Sequence, residues 1–148
     1  MQLNLPAYEF KIIQKGEKRQ VFDTFRKKYV ALTPEEWVRQ HLCRYMVEEL
    51  GYPAGRMSLE GSVVVNGISS RWDVLVFDEN GSPEILVECK APQVKLSNAV
   101  LDQALRYQKG TGANTIIVSN GVEHLYIRLD GEKARGSRGL PPYRYQAD

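Results

Sequence analysis

The sequence predicts one α/β (α+β) domain in which a mixed β-sheet is flanked by helices. Three observations predict this class. Two segments carry helix-capping residues, short β-branched segments lie between and after them, and 43% of the 148 residues are hydrophobic. A chain of this length can bury a substantial core as a single unit. We therefore expect residues 1–148 to form one domain.

The two ends of the chain are expected to be less regular than its centre. Residues 1–32 mix short apolar stretches with basic residues, which favours an N-terminal extension of extended segments and loops packed on the main body. Residues 131–148 show little apolar periodicity, so we expect a loose or docked C-terminal tail.

Charge and cysteine content bear on partner and compartment. Residues 1–30 carry seven basic residues against three acidic ones, and the adjacent Lys27 and Lys28 suit a polyanion such as nucleic acid. A solvated surface of mixed charge is the alternative. No apolar run approaches the roughly 18–20 residues of a membrane span, and no signal peptide is recognisable. Because Cys43 and Cys89 are the two cysteines, we expect no disulfide framework and a reduced, cytoplasmic setting.

The first helix is predicted by its capping residues. Thr33 is a favourable N-cap, Pro34 suits the first helical position and Glu36 completes a capping box. Gly51 marks the end of the helix. Glu49 falls within the apolar stripe of this helix, where a carboxylate must be paired or bound. It is therefore a candidate site residue, although a frayed helix end that reaches solvent accounts for it equally well.

The strands and the second helix follow from local patterns. A helix is predicted over residues 97–109, with Ser97 as its cap and Gly110 as its stop. Asn80-Gly81 is a strong hairpin signal between two of the strand segments. The strand segments are 62–65, 71–77, 84–90, 115–119 and 124–129.

Charged residues in two apolar strands form the candidate site. In the string ILVECKAP, Glu88 and Lys90 share one strand face. Across the predicted hairpin, Asp73 lies nearly opposite Cys89 and therefore close to both. Buried charges need a partner, and a divalent cation held by Asp73, Glu88 and the Cys89 backbone carbonyl would supply one. Lys90 would then orient the attacking water or stabilise negative charge. The alternative is an ordinary ion pair between Glu88 and Lys90 on an exposed strand.

Polar residues elsewhere could support this site. Gln103 and Tyr107 are four residues apart on the second helix and therefore neighbours on one face, where they could position carboxylates or a phosphate. A helix edge of mixed polarity is the alternative. Arg71 could contact a phosphate or support the acidic cluster, and a plain surface arginine is equally compatible with its position.

The order of these features resembles the PD-(D/E)xK nuclease superfamily. More narrowly, the strings VFDTFRKKYVALTPEEWVRQHL, RWDVLVF, LVECKAP, DQALRY and VSNGVEH are similar to the family of the N-terminal nuclease domain of type I restriction enzyme R subunits. The resemblance implies a restriction-endonuclease-like fold and Mg²⁺-dependent hydrolysis of DNA phosphodiester bonds, with Mn²⁺ as a substitute. The residues that match the family's catalytic motifs are Asp73, Glu88, Lys90, Glu49, Gln103 and Tyr107.

Two departures from the family pattern accompany the resemblance. Trp72 stands where the superfamily has proline, and no G-x₄-G-K-[ST] phosphate loop is present, so no intrinsic ATPase is expected. RNA remains open as a substrate, as do a homodimer and a larger defence complex. The alternative functions are a non-catalytic nucleic-acid-binding module and a protein-interaction subunit of a defence system.

Overall fold

Residues 2–144 are described by a computed structural model, apart from the side chains of residues 63, 65 and 70. The described residues form a three-stranded sheet, a six-stranded sheet and two α-helices. The mixed sheet flanked by helices confirms the predicted fold class. The elements in chain order are β1 (Ile12–Lys15), β2 (Lys18–Asp23), β3 (Lys28–Ala31), α1 (Pro34–Glu48), β4 (Met57–Val65), β5 (Ile68–Phe77), β6 (Pro83–Cys89), α2 (Asn98–Thr111), β7 (Thr115–Ser119), β8 (His124–Asp130) and β9 (Lys133–Arg138).

The N-terminal extension is more regular than expected. Its strands β1, β2 and β3 pair antiparallel into a separate small sheet. Gly16 and Lys27 occupy the two connecting turns with positive φ angles of 66° and 56°. A positive φ suits glycine and is uncommon for lysine, so Lys27 gives no sign of the second turn in the sequence.

Helix α1 begins where its cap predicts. The Thr33 hydroxyl oxygen accepts a hydrogen bond from the Glu36 backbone N–H at 3.0 Å. The reciprocal half of the predicted capping box is absent, because the Glu36 carboxylate instead binds Arg26, Arg39 and Gln40. Neither α1 nor α2 is long and apolar enough to cross a membrane, and they are the α-helices of the described residues.

The six-stranded sheet has the order β4-β5-β6-β7-β8-β9. All neighbouring strands are antiparallel except β6 and β7, which run parallel and are joined through α2. A parallel pair needs such a crossover, so α2 must cover one face of the sheet. The C-terminal end of β6 and the start of the crossover are therefore brought to one edge of the fold.

The hairpin between β5 and β6 forms, but its register differs by one residue from the prediction. Val74 pairs with Val87, and continuing this register puts Asp73 opposite Glu88 instead of Cys89. Nearer the turn Phe77 pairs with Pro83, two residues from the predicted register, and an irregularity between Val76 and Phe77 then shifts the pairing by one residue toward it. A bulge of this kind cannot be read from the turn sequence alone.

The second helix and the tail also depart from their predicted limits. Gly110 lies inside α2, and the helix ends at Thr111, followed by Gly112, whose φ of 80° is the left-handed C-cap conformation. The tail is not loose over its first part, because β9 pairs with β8 along its whole length. Tyr143 then docks on the body, with its hydroxyl donating to Glu84 at 2.6 Å. Residues 145–148 lie outside the described residues.

The core has two layers, one on each side of the sheet. On the α1 side, Val38, Leu42 and Met46 pack on Val74 and Val87. On the α2 side lie the alternate residues of the same strands, Leu75 and Leu86, as expected for strands covered on both faces, and Ile116 of β7 packs with Ala104 of α2. Each fully buried aliphatic side chain contributes about 1.5–3 kcal/mol, so the two layers hold β5 and β6 rigidly beside each other.

Candidate active site

The middle of β5 and the C-terminal end of β6 border a cavity of about 350 Å³. Both strands carry an acid there, since Asp73 lies two residues before the buried Leu75 and Glu88 lies two residues after the buried Leu86. The cavity is lined by Glu35, Glu60, Gly61, Ser62, Arg71, Trp72, Asp73, Glu88, Lys90, Gln103 and Tyr107. Five of the six predicted catalytic residues therefore share one cavity, and Arg71 joins them.

Asp73 is fixed in position by two donors. Its Oδ2 accepts a hydrogen bond from the Cys89 backbone N–H at 2.7 Å. Its Oδ1 accepts another from Arg39 Nη2 at 3.1 Å. One bond ties the carboxylate to β6 and the other ties it to α1, so the carboxylate cannot rotate without breaking a charge-assisted contact.

Glu88 is the most perturbed acid of the cavity. Only 4% of the residue is exposed. Burial, followed by repulsion from Asp73, raises the pKa of Glu88 to about 8, while Lys90 acts in the opposite direction. Burial also raises the pKa of Glu35, and repulsion from Asp73 is the next largest cause. The cavity thus concentrates more negative charge than its own cations neutralise.

Lys90 reaches the cavity from the α2 side. Its backbone N–H donates to Ser119 O at 2.8 Å, which anchors the residue just beyond the end of β6. Its Nζ donates to Gln103 Oε1 at 3.0 Å, and Gln103 Nε2 donates to Tyr107 Oη at 3.4 Å. Gln103 and Tyr107 thus lie on one helical face and form a short chain of bonds that ends on the lysine.

Trp72 forms the wall between the acids and the core. It packs against Leu75 and Leu86, so it does not share a side with Val74 as strand alternation predicts. This break in the alternation coincides with an irregularity in the neighbouring strand β4. Its Glu60 lies between Leu59 and Gly61, which pair with Val74 and Trp72, and has a left-handed φ of 51°. The indole ring covers Gly61, where a Cβ atom would collide with it. A side chain at this position would therefore displace the wall.

Glu49 is not brought to the cavity. It lies exposed at the C-cap of α1, whereas Glu35, in the first turn of the same helix, lines the cavity. Fourteen residues of helix separate the two by about 21 Å. The α1 carboxylate beside Asp73 and Glu88 is therefore Glu35, and the prediction for Glu49 does not fit the structure.

An ion network along α1 was missed by sequence reasoning. Arg39 is 3% exposed and binds the carboxylates of Glu35, Glu36, Glu60 and Asp73 at 2.7–3.3 Å. Arg26 extends the network to the N-terminal sheet, through Asp23, Glu36 and Glu60. The spacing of Glu35 and Glu36 to Arg39 was the available signal, since residues three and four apart are neighbours on a helix.

A comparison with protein-family models assigns this arrangement to a family. The model described as "Type I restriction enzyme R protein N terminus" matches residues 34–141, which include the whole cavity. The chain belongs to this family. The resemblance drawn from the sequence is thereby confirmed.

Two further comparisons accompany the family match. The fold is similar to the crystal structure of a "putative nuclease belonging to DUF820" from Anabaena variabilis, with 15% identity and a TM-score of 0.47 over 84% of this chain and 79% of that one. No curated protein matches the chain.

The donor set of this R-protein N-terminal domain suits a hard divalent cation. The described residues contain no group of three or more His, Cys, Asp or Glu arranged as metal ligands. Mg²⁺ does not need such a group, because it is commonly held by one or two carboxylates, waters and substrate phosphates. Burial is the main cause that raises the pKa of Glu88, repulsion from Asp73 adds to it, and a cation between the two carboxylates would relieve this repulsion. The residues therefore fit Mg²⁺.

The predicted nucleic-acid contacts lie at different distances from the cavity. Arg71 is exposed and lines it. Lys28 lines a neighbouring cavity of about 550 Å³, which shares Glu35 and Glu60 with the first. Lys27 is exposed in the β2–β3 turn and lines neither.

Proposed function

We propose that the protein is a metal-dependent nuclease that hydrolyses phosphodiester bonds, with DNA as the first substrate class to test. The observation that carries the proposal is the convergence of Asp73, Glu88 and Lys90 in one cavity, with Glu88 buried and strongly perturbed. Perturbed acids concentrate at catalytic sites, and membership in the R-protein N-terminal family supports the same conclusion.

Asp73, Glu88 and the backbone carbonyl of Cys89 would hold Mg²⁺ or Mn²⁺. The bound ion supplies Lewis-acid activation of the phosphate and of the attacking water. Arg39 and the Cys89 N–H keep the Asp73 carboxylate oriented toward the cavity. Glu88 must lose its proton to bind a cation, so cation affinity rises as the pH rises toward 8.

Lys90 supplies the mobile positive charge of the site. Its ammonium can donate to the scissile phosphate or to the attacking water, and Gln103 aims it by accepting one of its three protons. Tyr107 holds the Gln103 amide in the orientation that presents Oε1 to the lysine. Arg71, at the rim, and Lys27 and Lys28, on the N-terminal sheet, would contact flanking phosphates.

The test is cleavage of supercoiled plasmid and of labelled DNA and RNA oligonucleotides with and without Mg²⁺ or Mn²⁺. We expect divalent-dependent cleavage that falls by about 100-fold or more in Asp73→Asn, Glu88→Gln and Lys90→Ala. Unchanged cleavage in all three variants would contradict the proposal. Cutting of both strands of a duplex would further call for a second copy or partner, which analytical ultracentrifugation on the same substrates would detect.

Two carboxylates of helix α1 provide a matched pair for the same assay. Glu35 lines the cavity and Glu49 does not, so Glu35→Gln should lower cleavage about tenfold or more, while Glu49→Gln should leave it unchanged. The reverse pattern would restore the sequence-based assignment of Glu49.

A non-catalytic nucleic-acid-binding module is the second candidate, favoured by the basic N-terminal sheet. It predicts binding that weakens with salt and does not respond to divalent cations. Binding measured by anisotropy with EDTA and with Mg²⁺, beside the cleavage assay, separates the two functions.

A further inference from the structure

A second cavity of about 490 Å³ lies beside the first, on the side of Tyr107. Tyr107 lines both cavities, so one side chain forms the boundary between them. The second cavity is also lined by Ile68, the first residue of β5 after the β4–β5 turn, and by Arg106 and Lys109 of α2. Nothing in the proposed catalytic mechanism uses these three residues.

The geometry of helix α2 explains why the two cavities are neighbours. Gln103, Arg106, Tyr107 and Gly110 follow the spacing of three and four residues that places side chains in one row along a helix. The row starts at Gln103, which is bonded to Lys90, and continues away from the acids. A strand of substrate that enters at Lys90 can therefore follow the row past Tyr107.

The charge of the two cavities is opposite. Four carboxylates line the first, whereas no acidic residue lines the second. Within residues 2–144, Arg106 and Lys109 form no ion pair, although Asp102 precedes Arg106 by one helical turn. The two exposed cations, Arg106 and Lys109, are therefore available to bind a phosphate.

The hairpin side of the second cavity is apolar and open. Ile68 is 68% exposed, among the most exposed large hydrophobic side chains of the described residues. Its strand β5 pairs with β4 at this end, while the pairing with β6 begins only at Val74. The part of the β4–β5 hairpin near its turn therefore extends past β6. It presents the exposed side chain of Ile68 next to Arg106 and Lys109.

We propose that this second cavity is a subsite for an unpaired nucleotide next to the scissile phosphodiester. Arg106 and Lys109 bind its phosphate, and Ile68 with the outer side of Tyr107 contacts its base. Phosphate contacts with apolar or aromatic contacts to a base are the recurring chemistry of single-strand recognition. The subsite rests on the proposed nuclease function for its place beside the cut bond, but its binding can be measured without cleavage.

The binding test uses a fluorescein-labelled 12-nucleotide single-stranded DNA and anisotropy, in a Glu88→Gln background that removes cleavage. We expect Arg106→Ala/Lys109→Ala to weaken binding about tenfold and to lower the salt slope by about 0.7, the contribution of the one single-strand phosphate that the two cations bind. The matched control is Lys133→Ala/Arg135→Ala, which removes the same charge from the exposed strand β9 and should change neither value.

A second pair of variants tests the apolar side. Ile68→Glu should weaken binding of the single strand and leave binding of a blunt duplex nearly unchanged, because paired bases do not offer their faces. Val122→Glu introduces the same charge at an exposed apolar residue in the β7–β8 turn and serves as the control. Equal effects of the two substitutions would remove the base contact from the proposal.

The cleavage assay then separates this subsite from the catalytic proposal. With Glu88 intact, Arg106→Ala/Lys109→Ala should hydrolyse bis(p-nitrophenyl) phosphate, which has no flanking nucleotide, at the wild-type rate and cut oligonucleotides about tenfold less well. A variant that binds and cuts like wild type overturns the subsite alone. Absence of all cleavage by wild type overturns the nuclease proposal alone, and the binding measurements still decide the subsite.

Discussion

The two walls of the acidic cavity are built in opposite ways. On the α1 wall, one buried arginine, Arg39, binds four carboxylates and closes a network that reaches the N-terminal sheet. On the α2 wall, Lys90 makes one side-chain hydrogen bond to Gln103, which makes one to Tyr107. The difference indicates that the first wall fixes the acids, whereas the second leaves a cation free to move with the substrate.

The largest effect is expected on the α1 wall. Arg39→Leu should lower the free energy of unfolding by about 3–5 kcal/mol, because it removes the buried cation that binds Asp73 and leaves the buried Glu36 with Arg26 as its one charged partner among the described residues. Urea denaturation measures this change. Glu48→Gln, which breaks a surface pair with Arg44, is the control and should cost less than about 1 kcal/mol. Similar losses of unfolding free energy in the two variants would mean that the Arg39 network stabilises the fold no more than a surface ion pair does.

The second effect concerns the pH dependence of stability. The pKa of Glu88 is about 8 in the folded protein against an ordinary value of 4.5. Between these values the folded protein retains a proton that the unfolded chain has lost, so stability must fall as the pH rises, by at most about 1.4 kcal/mol per pH unit from this residue. The measurement is the urea midpoint from pH 5 to pH 8 for wild type and for Glu88→Gln. The difference between the two proteins isolates the contribution of Glu88. A flat difference would show that Glu88 ionises normally and that the α1 wall neutralises the cavity.

A smaller stability effect, but a clear loss of activity, is expected on the α2 wall. Gln103→Ala removes the acceptor that aims Lys90 and should reduce cleavage about tenfold. The free energy of unfolding should fall by about 1 kcal/mol, since the hydrogen bond between Lys90 and Gln103 is partly exposed. Asp102→Ala, on the adjacent exposed position, is the control for both measurements. A stability loss as large as that of Arg39→Leu would erase the contrast between the walls.

The smallest effect is expected for Tyr107→Phe. The variant removes one hydroxyl whose bond to Gln103 is 3.4 Å long, so stability should change by about 0.5 kcal/mol or less. Cleavage of bis(p-nitrophenyl) phosphate should fall only a few-fold, by less than in Gln103→Ala. A larger fall than in Gln103→Ala would place the tyrosine hydroxyl in direct contact with the reacting groups.

Local chemistry was sufficient to predict the frame of the site. Thr33 fixed the start of α1, Asn80-Gly81 paired β5 with β6, and the four-residue spacing of Gln103 and Tyr107 placed both on one helical face. Each of these signals acts within a few residues of chain, where propensity and geometry leave few alternatives.

The features that the sequence did not reveal depend on contacts between distant elements. Helical periodicity identifies the buried stripe of α1 but not which end meets the strands, so it indicates Glu49 and gives no signal for Glu35. The strand β9 is exposed along its length and is held by main-chain pairing to β8, so it lacks the apolar alternation by which a strand is recognised. The left-handed Glu60 is likewise an unusual conformation for a non-glycine residue.

The position of Trp72 over Gly61 gives the molecule a built-in optical reporter. The chain has two tryptophans, and Trp37 lies elsewhere, tilted against Phe10 and in edge contact with His41. In a Trp37→Phe variant, all tryptophan fluorescence would come from Trp72, the indole that borders the acids. Entry of a cation or a strand of substrate could then be followed by emission alone, in real time and without any attached dye.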